Sequence, residues 1–497
     1  MLLGLGAAMT PAFVHTAWAW PLAVLAPAIL VWWLGKRARN EWRRAALGCW
    51  LFGIGWLAAG TWWLFVSMHR YGGLPAPLAV LAVLALAAAL SLYLAAAAAA
   101  WVRWRPGSPW ADAGAWAALW LLAELARGVL FTGFPWVASG YAMVDSPLAD
   151  LAPWIGVYGI GAVLAFAAAA LARLAGPHLA KTAGPAVVAV LAFVALAVLP
   201  VASFTRSTGE LDVALLQTAV KQDEKFVLDR LPETLGWVGA EIVKSPAALT
   251  LAPETAVPLL PSQLEDFAPG YWPGLVQHFP AGGARVALVG KPLDSFSEGY
   301  TNSVVALGTA APYRYDKHHL VPFGEFVPWG FRWFVRMMNI PLGDFSRGRV
   351  DSPSLAFAGQ RIAPNICYED LFGEELAVRF VDPANAPTVL ANLSNIAWFG
   401  DTVAIEQHLN ITRLRTLELQ RPMLRATNTG ATAIVDHGAR VTAMLEPQTR
   451  DVLTGKVEGR DGVTPYAAWA GRFGLWPLGL AVLVVLAGAL AAGRHRA

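Results

Sequence analysis

The first 204 residues are a succession of Ala-, Leu-, Val- and Trp-rich runs, broken only by short polar or Pro/Gly stretches. Seven runs, at roughly 1–14, 19–35, 46–67, 76–102, 112–131, 154–175 and 184–203, approach the ~20 residues that cross a hydrocarbon core, and an eighth lies at 473–492. Backbone N–H and C=O groups in lipid must bond within their own segment, so such runs predict an α-helical bundle of eight spans. The first run is short and contains Pro11; a signal peptide is the rival reading, against which Met1-Leu2-Leu3 offers no basic leader. Only 14% of the 497 residues are charged, where soluble proteins carry roughly 25%, which excludes an ordinary cytosolic enzyme and a disordered chain alike.

From Gly209 to about Thr464 the composition becomes that of a soluble protein. The chain therefore divides into a seven-span region over 1–208, an α/β domain over 209–468, and an eighth helix with a basic tail over 469–497. Eleven basic residues, among them Lys36, Arg43, Arg103, Arg173, Lys181 and Arg494, fall on one side if the spans alternate, and only Arg70 falls in the short loops of the other. The first side is then cytoplasmic and the α/β domain extracytoplasmic, which in a bacterial cell means facing the periplasm from the inner membrane. ATP and NADH are absent there, and no phosphate-cradling GxxxxGK[ST] loop occurs. A net charge of +3 without a long basic run argues against nucleic acid. Cys49 and Cys367 are too isolated for a disulfide framework or a zinc site, and the adjacent His318 and His319 read as loop structure, so neither metal nor cofactor is expected. Inside the fifth span Glu124 and Arg127 stand three apart, either a functional site or an intrahelical pair that locks the bundle.

Short β-rich runs recur in the outer domain at 211–220, 249–251, 285–289, 302–307, 363–367, 388–393 and 431–435, with the clearest helix at 402–420. This pattern predicts an α/β fold with layered sheets. Four strand ends or loops carry unusual residues: Glu254 in Ala252-Pro253-Glu254-Thr255, Lys317 in Tyr315-Asp316-Lys317-His318-His319, Glu325 in Gly324-Glu325-Phe326, and Cys367 in Ile366-Cys367-Tyr368-Glu369-Asp370. Read singly, each has a plain structural explanation: a lone Cys in a strand is usually a small core hydrophobe, and loop Glu and Lys are usually solvated.

Read together, a Glu, a Lys about sixty residues on and a Cys about fifty further, each closing a strand, resemble the Glu-Lys-Cys arrangement of the nitrilase superfamily. The eight flanking spans, the Thr132-Gly133-Phe134-Pro135-Trp136 turn, the run from Lys317 to Pro328, Ala397-Trp398-Phe399-Gly400-Asp401 and the run from Arg421 to Gly430 make the whole chain similar to the bacterial apolipoprotein N-acyltransferase family. The resemblance implies an αββα sandwich domain, phospholipid as acyl donor, a diacylglyceryl apolipoprotein as acceptor, a membrane setting and a monomer. Two positions depart from the family pattern: Phe226 stands where a Trp is usual, and Ile396 where an Asp is common.

Acyl transfer from an ester to an amine is easier in two steps when a thiolate holds the acyl group between them. Cys367 is the nucleophile in this reading. An unperturbed thiol titrates near about 8.5, so it needs a base, Glu254, and a cation, Lys317, which also faces the oxyanion of the tetrahedral intermediate. Glu325, Tyr368 and Glu369 are read as support, holding the lysine, the pocket wall and the loop. The run from Pro328 to Met338, with Trp329, Trp333, Phe334, Met337 and Met338, is too apolar for a surface loop and too short to span, which suits a lid in the headgroup region; Tyr271 and Trp272 are its expected counterpart. The same three residues would also serve a membrane-tethered amidase or nitrilase acting on a small molecule, although such an enzyme needs neither lid nor eight spans. A transporter fits less well, because the spans show no obvious repeat and a single deep charged pair.

Overall fold

The structure, a computed structural model, describes residues 1–175, 184–198, 201–295, 299–328, 330 and 345–494. They form two compact units, one drawn from Met1–Phe65, Pro75–Ala202 and Phe473–Ala497, the other from Val66–Leu74 and Ser203–Arg472.

The first unit is helical. Four stretches, Thr16–Arg37, Ala76–Arg103, Pro109–Thr132 and Pro147–Ala175, are long and apolar enough to cross a membrane. Two bent pairs, Trp42–Gly60 with Leu64–Tyr71 and Pro465–Phe473 with Trp476–Ala491, raise the number to six if each is one span; Leu2–Val14 and Gly184–Val198 are shorter apolar stretches. The helix predicted over 46–67 is bent: Trp42–Gly60 and Leu64–Tyr71 meet at 65°, and at the break the Leu57 carbonyl accepts from both the N–H and the hydroxyl of Thr61, at 2.9 and 2.7 Å. The predicted first span is likewise two short helices, Leu2–Ala7 and Thr10–Val14, the second opening with Pro11 in its first turn. A Cβ on Gly6 would strike Phe52 O, and one on Gly55 would strike Leu3 O, so the first of these helices lies backbone to backbone on Trp42–Gly60.

Glu124 and Arg127 are both buried, 3.4 Å apart. Arg127 donates to Phe134 O at 2.9 Å and Trp136 O at 2.7 Å, while Glu124 accepts from the Ser139 N–H at 2.7 Å and the Ser139 hydroxyl at 2.8 Å. The pair thus satisfies itself and pins the turn after its helix, which is the bundle-locking arrangement.

The second unit is built on two six-stranded mixed sheets. In chain order the strands are β1 (Thr205–Gln217), β2 (Leu249–Ala252), β3 (Val286–Ser295), β4 (Gly299–Leu307), β5 (Arg314–Asp316), β6 (Leu355–Phe357), β7 (Gln360–Ile366), β8 (Val389–Ser394), β9 (Met423–Thr427), β10 (Ala433–Val435), β11 (Val441–Met444) and β12 (Asp451–Gly462). The sheet orders are β12-β1-β2-β3-β4-β5 and β11-β10-β9-β8-β7-β6. In each the central strands are parallel, β1-β2-β3 and β7-β8-β9, and the edges antiparallel. Period-two alternation explains the layering: Leu249, Leu251, Val286 and Leu288 face the opposing sheet with Ile362, Val389 and Leu424, whereas Ala252, Ala287 and Val289 face helices with Val238, Ile242 and Leu275. On the far side Leu390, Leu419, Phe380 and Tyr466 make the other helical layer. The order is helix, sheet, sheet, helix.

Leu288 is fully buried between the sheets, so Leu288→Ala should cost about 2–5 kcal/mol and lower the thermal unfolding midpoint of the detergent-solubilised protein. Met444 is 47% exposed on edge strand β11, and Met444→Ala should leave that midpoint nearly unchanged.

Candidate active site

The polar residues cluster at the carboxyl ends of the parallel strands, where open α/β sheets place their ligands. Glu254 follows β2. A Cβ on Gly290 of β3 would overlap Pro253 O and sit 2.8 Å from the Glu254 Cα, so only glycine lets this turn close against the sheet. Lys317 follows β5, its N–H donating to Asn302 O in β4 at 2.9 Å. Glu325 lies in the turn beyond, where its Oε2 accepts from the Val321 N–H at 2.8 Å.

Three charged groups meet here almost out of water: Glu254, Lys317 and Glu325 are 7%, 1% and 9% exposed. The Lys317 ammonium lies 2.9 Å from Glu325 Oε1 and 3.4 Å from Glu254 Oε1. Asn302 bridges the two carboxylates with its side-chain amide, 2.7 Å to Glu254 and 2.8 Å to Glu325. The other Glu254 oxygen accepts from the Asn395 N–H at the end of β8, 2.8 Å away. Burial opposes the lysine charge, but Glu325 and Glu254 outweigh it and hold the Lys317 pKa above the ordinary lysine range.

Cys367 stands where β7 passes into a turn of 3-10 helix, Cys367–Leu371. Its φ is +52°, a left-handed conformation that costs a non-glycine residue about 1–2 kcal/mol and persists only where neighbours over-determine it. They do so on three sides. Glu369 accepts from the Ile366 N–H at 2.6 Å, the Tyr315 hydroxyl at 2.8 Å and the His318 and His319 N–H groups at 2.7 and 3.1 Å. Asn392 of β8 donates to Cys367 O at 3.2 Å. Asp370, fully buried, holds His408 and Thr412 of the helix Ala404–Leu419 at 2.9 and 2.7 Å and Arg425 of β9 at 3.1 Å. The residue as a whole is partly buried. Desolvation, and after it the Glu254 charge, push the resting thiol up to about 12, while the Lys317 ammonium acts in the opposite direction. The resting cysteine is therefore held as a protonated thiol.

Glu254, Lys317, Cys367, Glu325 and Glu369 are thus brought together. Tyr368 is 6% exposed and stands edge-on to Phe372, beside His319, forming a wall next to the cysteine. His318 bonds Gly348 O and His319 bonds Glu375 and stacks on Phe372, both as loop structure. Tyr271 and Trp272 open the helix Tyr271–His278 and pack half-buried against the outer helical layer, with Tyr271 bonded to Leu235 O at 2.8 Å and Trp272 lying under Lys291. Trp329, Trp333, Phe334, Met337 and Met338 lie outside the described residues. Among the described residues no group of three or more His, Cys, Asp or Glu side chains is arranged to hold a metal. Asn302, Asn395 and Lys225 join the site without having stood out in the sequence.

Two family models match the chain, apolipoprotein N-acyltransferase N-terminal domain over residues 5–170 and carbon-nitrogen hydrolase over residues 213–462. The chain is 51% identical to the apolipoprotein N-acyltransferase of Verminephrobacter eiseniae, over 92% of this chain and 89% of that protein. It is 45% identical to that of Ralstonia nicotianae, over 97% and 91% of the two chains, and 39% identical to that of Chromobacterium violaceum, over 98% and 93%. Among solved structures, a carbon-nitrogen hydrolase of Helicobacter pylori aligns with 55% of this chain and 95% of its own at 13% identity and a TM-score of 0.36. The sandwich is a carbon-nitrogen hydrolase domain of the nitrilase fold, carried in one chain with helices long and apolar enough to cross a membrane. The chain belongs to the apolipoprotein N-acyltransferase family.

Glu369 serves donors only, so Glu369→Gln turns an amide N–H toward N–H and O–H groups. At least one buried donor is then unpaired, at a cost of about 1–3 kcal/mol. The variant should unfold at lower temperature than the parent and lose lipoprotein N-acylation activity, whereas a Glu369→Gln protein of parental stability and rate would contradict this placement.

Proposed function

We propose that the protein transfers a fatty acyl chain from a phospholipid to the N-terminal amine of the S-diacylglyceryl-cysteine of apolipoproteins, through a thioester on Cys367. The observation that carries this reading is the buried Glu254–Lys317–Glu325 cluster beside a cysteine held at a positive φ, in a chain of the apolipoprotein N-acyltransferase family. Glu254 takes the Sγ proton as sulfur attacks the ester carbonyl carbon. The tetrahedral oxyanion is stabilised by the Lys317 ammonium, a kind of contact worth about 3–4 kcal/mol where single oxyanion donors have been removed. The C–O bond then breaks, and the glycerol oxygen leaves with the proton held by Glu254. In the second half the incoming amine attacks the thioester carbonyl carbon and gives a proton to Glu254, which passes it to the sulfur as the C–S bond breaks and the thiol is released. Glu325 and Asn302 keep the lysine and Glu254 in register throughout.

The eight apolar segments are then membrane spans and the catalytic domain lies in the periplasm. Supporting this orientation, eleven basic residues fall on the opposite side if the spans alternate, and only Arg70 falls in the short loops on the side of the catalytic domain. The apolar, arginine-bearing run from Pro328 to Met338 supplies the lipid contact.

The test is a transfer assay in detergent with a phospholipid radiolabelled in its acyl chains and a synthetic S-diacylglyceryl-cysteinyl peptide. Label should appear in the peptide as a hydroxylamine-resistant amide, and should not appear with Cys367→Ala or Glu254→Gln. Release of labelled fatty acid without peptide acylation, or hydrolysis of a small amide in its stead, would replace this reading with a tethered amidase.

A further inference from the structure

Beside Glu254 lies a second buried cation. Lys225 occupies the turn after β1 and is 5% exposed, and its ammonium donates to the backbone oxygen of Glu254 at 3.0 Å. That oxygen is its one hydrogen-bond acceptor among the described residues, so two N–H groups and a full charge stand without a carboxylate partner. A buried ammonium in this condition is costly unless something nearby uses the charge.

The turn is held deliberately in place. Asn428, at the end of β9, accepts from the Thr218 hydroxyl at 2.6 Å and the Val220 N–H at 2.8 Å and donates to Val220 O at 2.7 Å. Asn395, whose N–H caps Glu254, donates through its side chain to Gln222 at 3.1 Å and accepts from Asn428 at 2.9 Å. The same asparagines therefore set both the catalytic carboxylate and the turn that delivers Lys225.

We propose that Lys225 is a positioning residue of the acyl-transfer site, supplying the second positive charge that the Cys367 thiolate requires. The argument is charge balance, and it rests on the reading of Cys367 as nucleophile and Glu254 as base. When the sulfur proton has passed to Glu254, the thiolate and Glu325 carry two negative charges against one positive charge on Lys317. Lys225, whose charge acts on both Glu254 and Cys367, makes the buried set neutral. Of the other charged groups near the cysteine, Arg425 is paired with Asp370, and Glu369 is held by four hydrogen-bond donors, with the charges of Lys317 and, less strongly, Arg379 acting on it. Burial also pulls the Lys225 ammonium down to about 8, against the attraction of Glu254 and Cys367, so this charge is lost in mildly alkaline solution, whereas Lys317 stays protonated.

The experiment follows the rate of Cys367 alkylation by iodoacetamide against pH in the full-length protein in detergent, read by peptide mass, with acyl-enzyme formation from phospholipid measured in parallel. Lys225→Met should displace the alkylation profile to higher pH by about one unit, lowering the rate at neutral pH about tenfold. In the parent, acyl-enzyme formation should decline above about pH 8 as Lys225 loses its proton, and Lys225→Arg should extend activity to higher pH because a guanidinium keeps its charge. A purely structural role would lower activity without moving either pH limb. Should Lys225→Met fail to fold, the pH limb of Lys225→Arg decides alone. Unchanged profiles in folded variants whose parent forms acyl-enzyme would overturn the role of Lys225. A parent in which Cys367 is neither alkylated nor acylated would overturn the nucleophile reading itself.

Discussion

A lysine ammonium held in the dry between two carboxylates is the interaction on which the rest of the outer domain depends. Removing three charges from water costs several kcal/mol per ion, and their attraction offsets this only if geometry is close and the remaining lone pairs are filled. Both conditions are met by backbone and amide groups: Asn302 bridges the carboxylates, Asn395 caps Glu254, and the Val321 N–H caps Glu325. Each partner comes from a different strand end or loop. The two sheets must therefore stack in register before the cluster can exist, and the cluster in turn penalises any slippage, because a one-residue shift would leave a buried charge alone.

The cysteine adds a second constraint of a different kind. A left-handed residue at a strand end is unfavourable locally, so the surroundings must supply the difference. Glu369 gathers donors from β5, β7 and the loop after Lys317, while Asp370 gathers them from a helix and from β9. The two consecutive acids act in opposite directions from one turn. Tyr315 and His318 flank Lys317 in sequence and bond Glu369, so the lysine loop and the cysteine elbow are positioned by one carboxylate. The proposed charge of Lys225 belongs to the same economy of fixed dipoles and ions around a thiol that resists ionisation when at rest.

The residues legible in the sequence were those whose chemistry is special at the end of an apolar run, Glu254, Lys317 and Cys367, with Glu325 added by the family resemblance and Glu369 by its place directly after the cysteine. β2, β3, β7 and β8 were legible as short apolar, β-rich runs, since both of their faces are buried. β9 escaped because Arg425 sits in the middle of a central strand, which makes sense only once Asp370 and His408 are seen beside it. β12 escaped because its Gly and charged residues have little β preference, and antiparallel pairing with β1 forms it. Asn302, Asn395 and Lys225 carried no local signal. An amide in a strand and a lysine in a turn become informative only through partners brought from far along the chain. Helix breaks at Thr61 and near Pro11 were similarly below the resolution of an apolar-run reading.

Everything in this account converges on an acyl group carried by Cys367 between donor and acceptor. The most direct measurement is the intact mass of the purified protein after incubation with phospholipid in detergent, with no acceptor present. A fatty-acyl mass increment that neutral hydroxylamine removes, and that Cys367→Ala never acquires, is the predicted result. A folded parent protein that gains no such mass would contradict the thioester mechanism.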